Sequence, residues 1–175
     1  MFSRRAMATV GLALATLAAG KPATQPAKPA AGDDALNQAV LKFAAAQVGK
    51  KVGNGECWTL AAEALKAAGA KHARGYTYGH KLAAGDPVKP GDIMQFTSAR
   101  FAGKSGRRTW SMSLGFPNHT AVVKAVLGPG RYQILQQNPG PVSVATIDFK
   151  DLKSGTYEVW RAEPKPGATT EPDAE

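Results

Sequence analysis

The chain has 175 residues, 43% of them hydrophobic, a formal net charge of +9 and one cysteine. That length holds one domain with a real core, and the lone cysteine excludes an internal disulfide. Aromatic residues are few and are not interleaved with the basic ones, which argues against nucleic acid; the charge suits solubility or attraction to an anionic cell-wall polymer or surface.

Met1 to Arg5 is short and basic, Ala6 to Ala19 is apolar but short for a bilayer, and Ala18-Ala19-Gly20 offers small residues for cleavage. Residues 1–20 therefore read as a signal peptide. Ser3-Arg4-Arg5 leaves both the general and the twin-arginine export routes open. The expectation is a periplasmic or secreted protein with no stable membrane insertion after cleavage. Loss of Arg4 and Arg5 would lower the net charge from +9 to +7. Residues 21–32 form a Pro/Ala-rich linker, and residues 163–175, with Pro164, Pro166 and Pro172, a disordered tail. Both are expected to be dispensable for folding, which leaves residues 33–162 as the domain.

In that domain Asp33 or Asp34 caps a helix to about Gln47, with Leu36, Val40, Phe43 and Ala44 on one stripe. A second helix runs from Cys57 to Ala68 and is closed by Gly69. Residues 71–90 read as irregular, and Lys89-Pro90-Gly91-Asp92 as a turn into a strand at Ile93–Phe96. Residues 98–118, with Arg100, Lys104, Arg107 and Arg108, read as a hairpin or functional loop whose charge marks a solvated tip. Strands follow at 119–127, 131–138 and 156–162, the first two joined by Gly128-Pro129-Gly130, with a weaker run at Val142–Val144. Two helices followed by an antiparallel sheet make an α+β fold.

Cys57 stands where the second helix begins, after the turn Gly53-Asn54-Gly55-Glu56. Free N–H groups and the dipole at a helix start favour negative charge there. In an exported protein an unpaired cysteine is a liability unless buried or used. His119 opens an apolar strand, and alternation puts it on the face of Ala121 and Val123, taken as the face toward Cys57. Tyr132, Ile134, Gln136 and Asn138 share a face of the next strand. Either amide there could accept from the imidazole. Cysteine, histidine and amide, in that order, suit a cysteine hydrolase: His119 takes the Cys57 proton, and Gln136, or alternatively Asn138, orients the ring. The Cys57 N–H would hold an oxyanion, with Asn54 as a second donor or simply a turn residue. Trp58 would wall a substrate cleft or pack in the core. The spacing of His72, His80, Cys57 and His119 matches no metal pattern, and no cofactor is expected.

Gly55-Glu56-Cys57-Trp58, Pro90 to Phe96, Asn118 to Val123 and Leu135 to Asn138 together resemble the papain-like cysteine hydrolase superfamily of CHAP and NlpC type. They resemble still more the cysteine-proteinase-fold domain of fungal SH3-containing actin-patch proteins. The likeness spans about residues 35–162. It implies a papain-like fold, N-terminal helices packed on an antiparallel sheet, and Gln136 stands where many CHAP hydrolases carry an acid. A neutral amide orients an imidazole but does not stabilise imidazolium as a carboxylate does. With export, the resemblance implies a thiol peptidase or amidase acting through an acyl-enzyme on peptide or peptidoglycan-like substrates. The rivals are a binding module that keeps the fold without turnover and a thiol-dependent acyltransferase.

Overall fold

The computed structural model describes residues 31–71, 75–138 and 140–166; the expected signal peptide, most of the linker and the end of the tail lie outside them. Helix α1 spans Ala31–Ala46 and α2 spans Cys57–Ala67. The strands are β1 His80–Lys81, β2 Ile93–Ser105, β3 Arg108–Gly128, β4 Arg131–Gln136, β5 Ser143–Asp148 and β6 Leu152–Arg161, with a 3-10 turn at Phe149–Asp151. They form one sheet in the order β1-β6-β2-β3-β4-β5, antiparallel at every step. This is the expected α+β layout, helices first.

Strand alternation divides the sheet between two cores. Ile93, Val122 and Leu135 point to one face, where Val40 and Ala44 of α1 and Leu60, Ala61, Ala64 and Leu65 of α2 are buried on them. Alanines at 61 and 64 let α2 lie close to the sheet. The other face carries Met94, Phe96, Ala121, Val123, Ile134 and Val159. Phe149 lies across it, its ring centroid 6.0 Å from Phe101, 5.6 Å from Tyr132 and 3.9 Å from Tyr157.

Asp92 ties the layers together. Fully buried, it accepts from Arg161 Nε at 2.9 Å and Nη2 at 2.8 Å, from Asn37 Nδ2 of α1 at 2.6 Å, and from the Lys89 N–H at 2.7 Å. A charge so enclosed is tolerated only because each of its partners is a donor. The turn at residues 89–92 therefore joins α1 to β6 as well as leading into β2.

Several boundaries differ from those expected. Helix α1 begins at Ala31, so Asp33 and Asp34 lie within it rather than capping it, and Asp34 pairs with Lys89 at 2.5 Å. The segment thought irregular contains β1, paired with the end of β6. Of the two alternatives for residues 98–118 the structure takes the hairpin: they belong to a long β2–β3 hairpin whose last pair is Ser105 with Arg108. The tail is anchored at its start, because the Lys71 N–H donates to Glu163 O at 2.7 Å and Ala70 bridges Pro164. The second helix ends as expected: the Gly69 N–H reaches Lys66 O at 3.1 Å and the Ala70 N–H reaches Leu65 O at 2.9 Å, the paired bonds of a Schellman end.

Candidate active site

The turn before α2 is fixed from outside. Gly55, at φ +89°, takes a conformation that L side chains rarely adopt. The Asn54 carboxamide oxygen accepts from the Glu56 N–H at 3.0 Å, an Asx turn. Gln137, just past the end of β4 and almost fully buried, does the rest. Its Oε1 accepts from the Val52 N–H at 3.0 Å. Its Nε2 reaches the Val52 carbonyl at 3.0 Å, the Glu56 carbonyl at 2.8 Å and Thr59 Oγ1 at 2.7 Å. The end of β4 thereby sets where α2 starts, and so where Cys57 sits.

Cys57 is 5% exposed and His119 6% exposed, and both line a cleft of about 400 Å³ with Tyr76, Phe116, Gln136 and Asn138. Gln136 Oε1 lies 2.7 Å from His119 Nε2. A carbonyl oxygen only accepts, so Nε2 carries the proton and the neutral ring keeps its lone pair on Nδ1. Burial pushes the His119 pKa below its usual 6.5, and the Gln136 hydrogen bond partly opposes this. The ring is therefore a neutral base at neutral pH rather than half of a standing ion pair.

The thiol is turned elsewhere. Cys57 Sγ donates to the Asn118 backbone carbonyl at 3.9 Å, a long contact even for sulfur, and no hydrogen bond joins it to the imidazole among the described residues. The faces explain why. His119 stands opposite Phe96 in the β2–β3 ladder and shares the face of Ala121 and Val123, which belongs to the core away from α2. The face meeting α2 carries Thr120 and Val122. Cys57 thus approaches β3 at its edge, beside the Asn118 carbonyl, and not across the apolar face as the alternation was read to imply. Among the described residues nothing accepts from the Cys57 N–H, which leaves that donor pointing out of the helix start.

The remaining candidates take other places. Asn138 lies beyond the end of β4 at φ +75°, and its Nδ2 donates to Glu56 Oε2 at 3.0 Å instead of meeting His119. Asn54 lines a neighbouring groove with Lys51 and Gly140, its carboxamide oxygen used by the turn. Trp58, 36% exposed, borders a smaller hollow with Tyr76 beside the cleft. His72 falls outside the described residues, and among those described no three His, Cys, Asp or Glu side chains gather where a metal could sit.

Two features went unread in the sequence. Gln137 is one; its signal is alternation, which puts a polar amide beside Leu135 on the helix-facing side of the strand. The other is a polar chain beneath the site. Thr120 Oγ1 donates to Gln95 Oε1 at 2.7 Å and lies 2.9 Å from Tyr78 Oη, which must then be the donor between them. Burial raises the Tyr78 phenol far above its usual range, against the smaller opposing effect of Thr120, so it keeps that proton. The chain fixes β3 at the residue after His119.

Residues 22–169 match the model of the AIM3/BBC1 cysteine proteinase-fold domain. The chain is 28% identical over 158 residues to the SH3 domain-containing protein C23A1.17 of Schizosaccharomyces pombe, covering 80% of this chain and 10% of that protein. It is 32% identical over 156 residues to Altered inheritance of mitochondria protein 3 of Debaryomyces hansenii, covering 77% of this chain and 16% of that one. The chain thus spans a small part of the curated relatives it matches. No solved structure matches it.

Proposed function

Because this chain belongs to the AIM3/BBC1 cysteine proteinase-fold family, we propose that it is an exported cysteine hydrolase of amide bonds. The observation that carries the reading is the His119–Gln136 hydrogen bond of 2.7 Å, in the cleft that Cys57 also lines. It leaves Nδ1 as the base and fixes the ring about its far nitrogen. The basic start, apolar run and small residues of the first twenty positions support export to the periplasm or beyond.

The reaction begins with rotation of the Cys57 thiol away from the Asn118 carbonyl. Nδ1 of His119 takes the thiol proton as sulfur attacks the substrate carbonyl carbon. The Cys57 N–H holds the oxygen that gains charge. The intermediate collapses as Nδ1–H protonates the leaving amine, and a thioester remains. His119 then removes a proton from water, hydroxide adds to the thioester, and carboxylic acid and thiol are released. Gln136 keeps Nδ1 aimed throughout. Its neutral amide makes the imidazolium short-lived, which fits a base that is charged only during turnover.

A second reading is a binding module that keeps the fold without turnover. It is favoured by the thiol's contact with Asn118 instead of the imidazole. Iodoacetamide labelling of the full chain separates the two. The hydrolase reading expects fast labelling of Cys57 that falls about 10²-fold or more in His119→Ala, the scale of lost acid–base assistance. Slow labelling indifferent to His119 overturns it in favour of the binding module.

A further inference from the structure

Residues 93–147 contain no aspartate or glutamate, yet they carry Arg100, Lys104, Arg107, Arg108, Lys124 and Arg131. Five of these six lie on the β2–β3 hairpin, four of them in its outer part, and Lys153 of β6 joins Arg100 and Lys104 around a hollow of about 490 Å³ beside Trp110. Neither Arg100, Lys104, Arg107, Arg108 nor Lys153 forms an ion pair with a described residue. The nearest carboxylate on the cleft wall, Glu56, is engaged by Asn138.

The same hairpin has an open edge. Strand β3 pairs with β2 from Arg108 to Leu114 and again from Asn118 to Val122, with residues 115–117 and the cis Phe116–Pro117 bond between the two stretches, but with β4 only from Val122 to Gly128. From Arg108 to Ala121 its other edge therefore has no strand partner among the described residues. That edge leads to the nucleophile: the Asn118 carbonyl on it receives the Cys57 thiol, and residues 112–118 form one wall of the cleft. Phe116, 94% exposed, stands at the rim.

We propose that the open edge of β3, residues 109–114, takes an extended acidic peptide as an added strand and points it toward the cleft of Cys57 and His119. The inference rests on the hydrolase reading for what happens at the cleft, but the docking stands apart from it. An unpaired edge offers alternating N–H and C=O groups, which an extended polypeptide satisfies and a lipid surface or nucleic-acid strand does not. Cations on an edge also keep copies of a protein apart. Here they are of one sign over 55 residues of sequence and flank an edge that ends at a thiol, which adds a guest of opposite sign to that role. Alternation lets both faces contribute. Arg100 and Lys104 stand opposite Ser113 and Thr109 on one face, while Arg108, Trp110 and Met112 share the other. Acidic side chains of the guest would find a cation on either side.

The test is fluorescence anisotropy of a labelled twelve-residue Glu/Ser/Val peptide with the full-chain Cys57→Ser protein, which binds without turnover. Expected are binding that weakens with salt and a loss of roughly tenfold or more in Lys104→Glu/Arg108→Glu, exposed positions with no role in the core. N-methylation at every second peptide nitrogen should abolish binding, because it removes the ladder donors. Equal binding of the methylated peptide, or of a lysine-containing counterpart, overturns the proposal. So does tighter binding of a single-stranded oligonucleotide or of vesicles containing anionic lipid. Iodoacetamide labelling of the wild type reports the hydrolase reading separately: peptide binding with an unreactive thiol sinks catalysis alone, and a His119-dependent thiol without peptide binding sinks the docking alone.

Discussion

Gln137 and Val52 are bonded in both directions: the Val52 N–H donates to Oε1 and the Val52 carbonyl accepts from Nε2, each at 3.0 Å. A side-chain amide here does what a neighbouring strand would do, and it does so for the loop that delivers Cys57. Gln137→Leu fills the space but leaves the buried Val52 N–H without its acceptor, whereas the Val52 and Glu56 carbonyls keep Thr59 Oγ1 and the Gly55 and Thr59 N–H groups as donors. At about 1–3 kcal/mol for one buried group left unsatisfied, the variant should lose stability on that scale in urea unfolding. Its surviving folded fraction should label more slowly at Cys57. Wild-type stability together with wild-type labelling would show that the turn holds itself.

Gln136 acts on the ring rather than the loop. Gln136→Glu should keep the fold and raise the imidazolium fraction, since a nearby carboxylate favours that form. Gln136→Ala removes the hydrogen bond that opposes the effect of burial, so the ring should titrate at still lower pH. It should also cut Cys57 alkylation by roughly 10²–10⁴-fold. Alkylation rates against pH for the three proteins check this; coincident profiles would make Gln136 a packing residue.

Burial of His119 also makes stability depend on pH. Its folded pKa lies below the unfolded 6.5, so between the two values the unfolded chain binds more protons than the native one. Stability is then fully present above about pH 6.5 and falls as pH drops through that value toward the folded pKa. Urea midpoints from pH 8 to 5 should decline for the wild type and decline less for His119→Gln. The variant comparison isolates the contribution of His119 from that of the rest of the chain. Identical slopes would place the acid sensitivity elsewhere.

The layout was legible because its signals are local. Alanines spaced for a helix followed Cys57, and alternation marked β4 through apolar Tyr132 and Ile134 to the polar Gln136 at its end. What was misread or undecided depends on partners far along the chain. The sequence of residues 98–118 suits hairpin and loop alike; Trp110, Met112, Leu114 and Phe116 alternate with Ser111, Ser113 and Gly115, and pairing with β2 decides for the hairpin. Asp92 gave a turn signal, but its ion pair with Arg161 lies 69 residues away. The face of His119 was read correctly relative to Ala121 and Val123. Which core that face meets depends on how α2 approaches, and alternation along one strand cannot encode it.

Asn138 offers the sharpest contrast with Gln136, because both line the cleft and only one touches His119. Its amide holds the Glu56 carboxylate, and its backbone sits at φ +75°, where asparagine and glycine are at ease and alanine is not. Asn138→Gly therefore removes the side chain at little backbone cost, whereas Asn138→Ala combines both losses. With the Gly variant, Cys57 labelling should stay within a few-fold of wild type, since the imidazole keeps its partner. Acidic-peptide binding should weaken, because a released Glu56 carboxylate then faces the guest in the cleft, and Asn138→Gly/Glu56→Gln should restore it. If the single variant instead slows labelling as much as Gln136→Ala, then Asn138 orients the imidazole during reaction and its contact with Glu56 belongs to the resting state alone.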